Sequence, residues 1–130
     1  MMRAAPRISL EVGVRVAAAH GNKDYGVTSV LVQAFYDVEV LFHLGPEEFI
    51  PPPKVDSVVI RMQRHSREVS CSYSDLRIVV KTAFNQRRKT LRNALKPLLQ
   101  DRNVPGSILD KRAEQLSVQD FIDLTQILRP

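Results

Sequence analysis

Two apolar segments joined by a proline-rich stretch, VEVLFHL (38–44) and SVVIRMQ (57–63), decide the fold that this sequence predicts. Both are rich in β-branched residues and nearly continuously apolar on one side, which is typical of strands. The twelve residues between them, GPEEFIPPPKVD, contain four prolines. Consecutive prolines hold φ at about −65° and make a stiff, extended connection. The sequence therefore predicts two strands whose connecting loop holds Phe49 and Lys54 in defined positions.

Helices are predicted on both sides of a loop that precedes the strands. Residues 10 to 19 are apolar and alanine-rich, and Glu11 and Arg15 are spaced to pair along a helix. The turn-forming stretch HGNKDYG (20–26) follows. Thr28 or Ser29 is positioned to cap a second helix through VLVQAFYD (30–37), although its valines leave a strand as the alternative.

A polar stretch, RHSREVSCSYS (64–74), follows the second strand and predicts a boundary between two domains. We place one domain at 1–65 and the other at 66–130. The patterns beyond the boundary are helical, so the fold class expected is α+β, with a small all-α domain at the C-terminal end.

Two helices are predicted in this second domain. Ser74, with Asp75, is positioned to cap a helix from about residue 76 to Pro97, with a break at 86–89 as the alternative. After a turn at NVPGS (103–107), the segment SVQDFIDLTQIL (117–128) is predicted to be an amphipathic helix capped by Ser117.

The segment AFNQRRKTLRNALK (83–96) carries positive charge beside apolar groups. Wound as one helix, it brings cations within about 80° of one another, next to an apolar stripe. A solvated face laced by salt bridges normally has more acids than this region offers, so we predict contacts with phosphate groups and keep a solvated face as the alternative. Between residues 81 and 102, Asp101 is the only acid against seven basic residues: Lys81, Arg87, Arg88, Lys89, Arg92, Lys96 and Arg102.

Composition excludes several classes of function. The 130 residues are 44% hydrophobic and carry a net charge of +5, which indicates a folded chain and favours an anionic partner. One cysteine and three scattered histidines provide neither an internal disulfide nor zinc-ligand spacing, so we expect a cytoplasmic, metal-free protein. Neither a membrane-spanning run nor a signal peptide is recognisable. No two glycines have Gly-x-Gly spacing, which argues against a nucleotide fingerprint loop, and no catalytic residue is assigned.

Phe49 is the aromatic residue best placed to stack on a nucleobase. Its stiff neighbours reduce the entropy cost of holding the ring exposed. The alternative is that the ring tucks under the loop as an anchor.

Four segments, in this order and spacing, resemble the later half of the KsgA-type ribosomal RNA adenine dimethyltransferases (dimethyladenosine transferases): GNKDYGVTSVLVQAFYDVEVLF, FIPPPKVDSVVIRM, VVKTAFNQRRKTLRNALK and RAEQLSVQDFIDL. The resemblance covers about residues 11 to 128. It implies an enzyme that uses S-adenosylmethionine to place two methyl groups on each of two adjacent adenosines of small-subunit rRNA during ribosome assembly. It also implies that the two strands are a remnant of a Rossmann-like methyltransferase sheet, in which they are the last two, antiparallel strands.

The resemblance implies a role for several residues. Phe49 matches a loop aromatic thought to stack on the target adenine once that base has been turned out. Lys54 is then placed to meet substrate phosphate or the loop backbone. The cations of the helical domain help to hold the rRNA, and the contacts expected are Lys54, Lys81, Arg87, Arg88, Lys89, Arg92 and Lys96.

The departures from the family imply a partial enzyme. The family's glycine-rich cofactor loop, its ribose-binding acid and its Asn-Leu-Pro-Tyr motif are not in this sequence. We therefore expect a truncated reading frame whose product binds no cofactor, is inactive alone and forms a homodimer through an exposed sheet edge. A free-standing, non-catalytic RNA-binding or ribosome-assembly module is the alternative.

Overall fold

The computed structural model describes residues 7–44, 57–100 and 102–129. It has an α+β arrangement in which a small antiparallel sheet precedes a group of helices. Within these residues no helix is long and apolar enough to cross a membrane.

The sheet contains the two predicted strands and a third that was not predicted. Strands β2 (Tyr36–Leu44) and β3 (Ser57–Arg64) pair antiparallel, and β1 (Arg7–Ser9) pairs with the other side of β3, so the order is β1-β3-β2. Strand β1 is only three residues long, which is too short to show an alternating pattern.

A bulge interrupts the pairing of β2 with β3. Val40 lies opposite Ile60, but the next paired residue of β2 is Phe42, opposite Val59, so Leu41 is extra. The ring of Phe42 is 61% exposed. A bulge in an edge strand increases the local twist and shifts the side chains that follow it to the other face.

Both helices predicted before the sheet strands are present. Helix α1 spans Leu10–Ala17 and α2 spans Val27–Gln33, so the strand alternative is wrong for residues 30–33, whereas Tyr36 and Asp37 at the end of the predicted helix belong to β2. Gly26 is the residue at the N-cap of α2, not Thr28 or Ser29. The buried Ser29 hydroxyl instead accepts from the Gly26 N–H at 3.1 Å and donates to the carbonyl of Arg15, which ties α2 to the end of α1.

The long helix predicted up to Pro97 is shorter than expected. Helix α3 (Tyr73–Asn85) ends where Gln86 leaves helical geometry, which agrees with the alternative of a break at 86–89. Ser72 caps it rather than Ser74, by accepting from the Asp75 N–H at 3.1 Å. Two single-turn helices follow, α4 (Leu91–Ala94) and α5 (Lys96–Leu99), and Pro97 lies in the first turn of α5, where a missing N–H is tolerated.

The last part of the chain matches the predicted final helix closely. A single helical turn, α6 (Gly106–Leu109), occupies part of the predicted turn, and a 3₁₀ turn spans Ala113–Gln115. Helix α7 (Val118–Leu128) begins with a capping box in which Ser117 and Asp120 each accept the other's backbone N–H at 3.1 Å.

Two apolar clusters hold these elements together. The smaller one joins α1 to the sheet through Val16, Val58 and Ile60. The larger one contains Val30 of α2 together with residues from α3, α4 and α7. Apolar contact thus continues from α2 into the C-terminal helices, while the boundary at residue 65 stays a prediction.

Candidate nucleic-acid interface

The basic residues predicted to contact RNA lie on successive elements and not on one helix. Lys81 is on α3, Arg87, Arg88 and Lys89 are in the turn after it, Arg92 is on α4 and Lys96 begins α5. The single stripe expected from a continuous helix is wrong, because α3 ends at Asn85 and the chain changes direction there.

Four of these cations are exposed and have no nearby anion among the described residues. Lys81, Arg88, Lys89 and Lys96 have exposed side chains, and in the described part of the chain no carboxylate lies within ion-pair distance of them. Exposed cations without carboxylate partners can contact phosphate without first breaking an ion pair. We call these four residues the open cations.

Arg92 differs because it has an anionic partner. Its Nη2 lies 2.9 Å from Oδ1 of Asp110, and both side chains are more than half exposed. An exposed ion pair of this kind contributes only about 0 to 1 kcal/mol. Arg92 can therefore exchange Asp110 for a phosphate at little cost.

Arg87 differs from the open cations because its guanidinium contacts other parts of the chain. Its Nη2 donates to the carbonyl of Lys23 at 2.8 Å and lies 3.6 Å from a carboxylate oxygen of Glu114. Its guanidinium carbon lies 5.4 Å from the centre of the Phe84 ring. Arg87 thus connects the loop before α2 to the end of α3, a structural role that the charge pattern did not predict.

The turn that carries Arg88 and Lys89 is anchored on its C-terminal side. The Leu91 N–H donates to the carbonyl of Lys111 at 2.8 Å, and Thr90 forms a β-bridge with Arg112. Leu91, at the start of α4, and Leu95, directly after α4, are fully buried. The open cations at this turn are thus held on a fixed backbone, which reduces the entropy lost on binding.

The fold also brings together cations that are far apart in sequence. Arg15 and Lys23, which were not among the predicted contacts, line the same cleft as Arg87. No local sequence pattern predicts this grouping, because it depends on the contact between the loop before α2 and the end of α3. Phe49 and Lys54 lie outside the described residues, so their predicted roles stay predictions.

The family model for ribosomal RNA adenine dimethylase matches residues 8–129. The chain is 56% identical over 120 residues to "Ribosomal RNA small subunit methyltransferase A" of Cytophaga hutchinsonii, a match that covers 91% of this chain and 46% of the relative. It is 53% identical over 121 residues to the protein of the same name from Parabacteroides distasonis, covering 90% of this chain and 45% of the relative. The chain thus spans about half the length of these curated relatives.

Solved structures agree at the level of the fold. A dimethyladenosine transferase from Plasmodium falciparum superposes with a TM-score of 0.78 at 22% identity, covering 91% of this chain and 54% of that one. The 23S rRNA methyltransferase ErmE gives a TM-score of 0.56 at 19% identity, covering 95% of this chain and 53% of that one.

Proposed function

The chain belongs to the ribosomal RNA adenine dimethylase family, and from that premise we propose that it is the C-terminal, substrate-binding portion of an S-adenosylmethionine-dependent small-subunit rRNA adenine dimethyltransferase. In this proposal its partner is small-subunit rRNA in the immature subunit, in the cytoplasm, during ribosome biogenesis. The observation that carries the proposal is the group of open cations on and after α3. Such cations bind nucleic acid through its phosphates, so this binding does not depend on base sequence.

The sheet supports the proposal that the chain is a fragment of a larger catalytic domain. All pairings of the described sheet are antiparallel, as expected of the terminal strands of a Rossmann-like methyltransferase sheet. Strands β1 and β2 form its edges, and an edge strand has backbone groups available to another strand. We propose that an edge pairs with a second copy of the chain. A monodisperse monomer in light scattering at tens of micromolar would contradict this homodimer.

The residues present do not fit S-adenosylmethionine. Cofactors of this kind are held where a glycine-rich turn connects a parallel strand to a helix. In the described part of the chain β1 runs directly into α1 at Ser9 and Leu10, without a glycine, and no strand has a parallel neighbour. We therefore propose that the cofactor belongs to the full-length enzyme and that the isolated chain neither binds it nor methylates RNA.

Phe49 and Lys54 complete the proposed substrate site. Phe49 is proposed to stack on the extruded adenine and Lys54 to contact phosphate or to brace the loop. Both proposals rest on the F-x-P-x-P-K motif of the loop.

The rival proposal is a non-catalytic RNA-binding or ribosome-assembly module. It is favoured by the same open cations, because they form a binding surface that needs no cofactor. The nucleotide sequence upstream of Met1 separates the two readings, since an in-frame glycine-rich loop and Asn-Leu-Pro-Tyr motif would favour the enzyme.

The direct test is RNA binding by the chain as a function of salt, using a hairpin from the 3′ end of small-subunit rRNA, with calorimetry for S-adenosylmethionine alongside. We expect RNA binding that weakens steeply with salt, and no cofactor binding. Arg88→Gln should reduce the slope of log affinity against log salt by about 0.7 to 0.9. Arg61→Gln is the control, because Arg61 is also exposed but lies on β3 and is already paired with Glu39. Equal slopes for the two variants would overturn the proposed binding surface.

A further inference from the structure

A cleft of about 320 Å³ lies between the loop after α1, the start of α2 and the end of α3. Its lining includes three cations, Arg15, Lys23 and Arg87, and one carboxylate, that of Asp24. We propose that this cleft binds a phosphate group of the RNA backbone, next to the open cations. The inference rests on the proposed function and adds a second, separate contact region to it.

The charge in the cleft is unbalanced in favour of an anion. Arg87 lies 3.6 Å from a carboxylate oxygen of Glu114, which offsets part of its charge. Lys23 is exposed, and no carboxylate of the described residues lies within ion-pair distance of it. A phosphate entering the cleft therefore meets an ammonium group that has no anion to displace.

The walls of the cleft are held in place by hydrogen bonds and packing. Arg87 is fixed by its bond to the Lys23 carbonyl and by the Phe84 ring. Ser29, fully buried, is bonded to both Gly26 and the Arg15 carbonyl, so the start of α2 cannot shift independently of α1. Walls that are already ordered lose little conformational entropy when an anion binds.

The lining of the cleft suits a phosphate group better than a base that must stack on a ring. The aromatic ring in its lining, that of Phe84, is already covered by Arg87 and packs against Tyr25, so it offers no free face to a base. The cleft can thus hold charge but has no platform for stacking.

Arg87 connects the cleft to the proposed RNA surface. It is followed directly by Arg88 and Lys89, whose side chains are exposed in the same turn. One RNA strand that crosses this turn can therefore place one phosphate on the open cations and another in the cleft. In this proposal Lys23 is a positioning contact for RNA, although it lies 64 positions before Arg87 in the chain.

The test uses the whole chain and the variants Lys23→Gln and Lys23→Arg, with Arg61→Gln as the control. Substituting the side chain of Lys23 leaves its carbonyl available to Arg87, so the fold should be unchanged, which thermal unfolding checks. For the hairpin RNA we expect Lys23→Gln to lower the salt slope by about 0.7 to 0.9, with Lys23→Arg and Arg61→Gln at the parent value. A parent slope for Lys23→Gln, with a reduced slope for Arg88→Gln, would overturn the cleft contact and leave the proposed function intact.

A second arm separates the two sources of phosphate. Inorganic phosphate and ATP are titrated into the parent chain and into Lys23→Gln by calorimetry. Loss of ATP binding in Lys23→Gln with an unchanged RNA slope would overturn the assignment to RNA and identify a site for free phosphate compounds. Absence of hairpin binding by the parent chain would instead overturn the proposed function itself.

Discussion

The guanidinium of Arg87 donates a hydrogen bond to the carbonyl oxygen of Lys23 at 2.8 Å, and the two residues are 64 positions apart in the chain. This bond joins the loop before α2 to the turn after α3. Arg87 differs in this from Arg88 and Lys89, because its side chain is half-buried whereas theirs are exposed. Three consecutive cations thus have two different environments.

Replacement of Arg87 by alanine should reduce stability, whereas replacement of Arg88 should not. A hydrogen bond from a charged group contributes about 1.5 to 3 kcal/mol, and partial exposure of Arg87 places its value at the lower end. Urea unfolding should give a free energy of unfolding about 1.5 kcal/mol lower for Arg87→Ala. Arg88→Ala should match the parent chain, and equal losses in both variants would contradict the structural role of Arg87.

The cap of α3 gives a second prediction. Ser72 accepts the Asp75 N–H, whereas the sequence favours Ser74, two residues later. Loss of a serine cap costs about 1 kcal/mol. Ser72→Ala should lower the free energy of unfolding by that amount and Ser74→Ala should leave it nearly unchanged. The reverse order in thermal unfolding would place the cap at Ser74 after all.

Tyr25 is a core residue with an unpartnered hydroxyl. The side chain is 1% exposed, and no described group is hydrogen-bonded to its Oη. Burying an unsatisfied hydroxyl costs about 1 to 3 kcal/mol. Tyr25→Phe should therefore keep or raise the free energy of unfolding, by up to about 1 kcal/mol. Tyr73→Phe, at a position 51% exposed, is the control expected to have no effect.

The same hydroxyl predicts how stability responds to alkaline pH. Burial raises the pKa of Tyr25 well above its usual value, and the carboxylate of Asp120 adds to the effect. The folded chain then retains a proton that the unfolded chain loses above pH about 10, so stability falls as pH rises beyond that point. Urea unfolding between pH 9 and 11, taken as approximate limits around that value, should show a smaller loss in Tyr25→Phe than in the parent chain.

Cys71 should react slowly with thiol reagents. Burial raises the pKa of its thiol, and the nearby carboxylate of Asp75 raises it further, although a backbone hydrogen bond partly opposes them. A smaller fraction of thiolate at neutral pH means slower alkylation. Iodoacetamide should modify folded Cys71 more slowly than the urea-unfolded chain, and Asp75→Asn should speed the folded reaction. A faster reaction in the folded state would contradict this account.

The strands and the final helix were predictable because their signals are local. β-Branched runs identify β2 and β3, and Ser117 with Asp120 marks the start of α7 within four residues. The end of α3 was only an alternative, because residues 86 to 89 are QRRK, which are compatible with a helix. The break depends on the bond from Leu91 to Lys111 and on burial of Leu91, both of which require the folded chain.

The residues of the candidate site were likewise predictable only where their signals are local. Local charge density identified Arg88 and Lys89 as candidates for phosphate contact, and the structure places both on the surface. The inward turn of Arg87 was not predictable, because its partners Lys23 and Glu114 are distant in sequence. For the same reason Lys23 was not among the predicted contacts.

The bulge in β2 makes the number of residues in that strand as important as their identity. If Leu41 were paired in an unbroken ladder from Val40 onward, Leu41 would lie opposite Val59 and Phe42 would lie opposite Val58 in place of Val59. Val58 is buried against α1, so the aromatic ring would be forced toward that helix. The extra residue thus keeps Phe42 opposite Val59, and a chain that lacks Leu41 should form a straight ladder with Phe42 still opposite Val59.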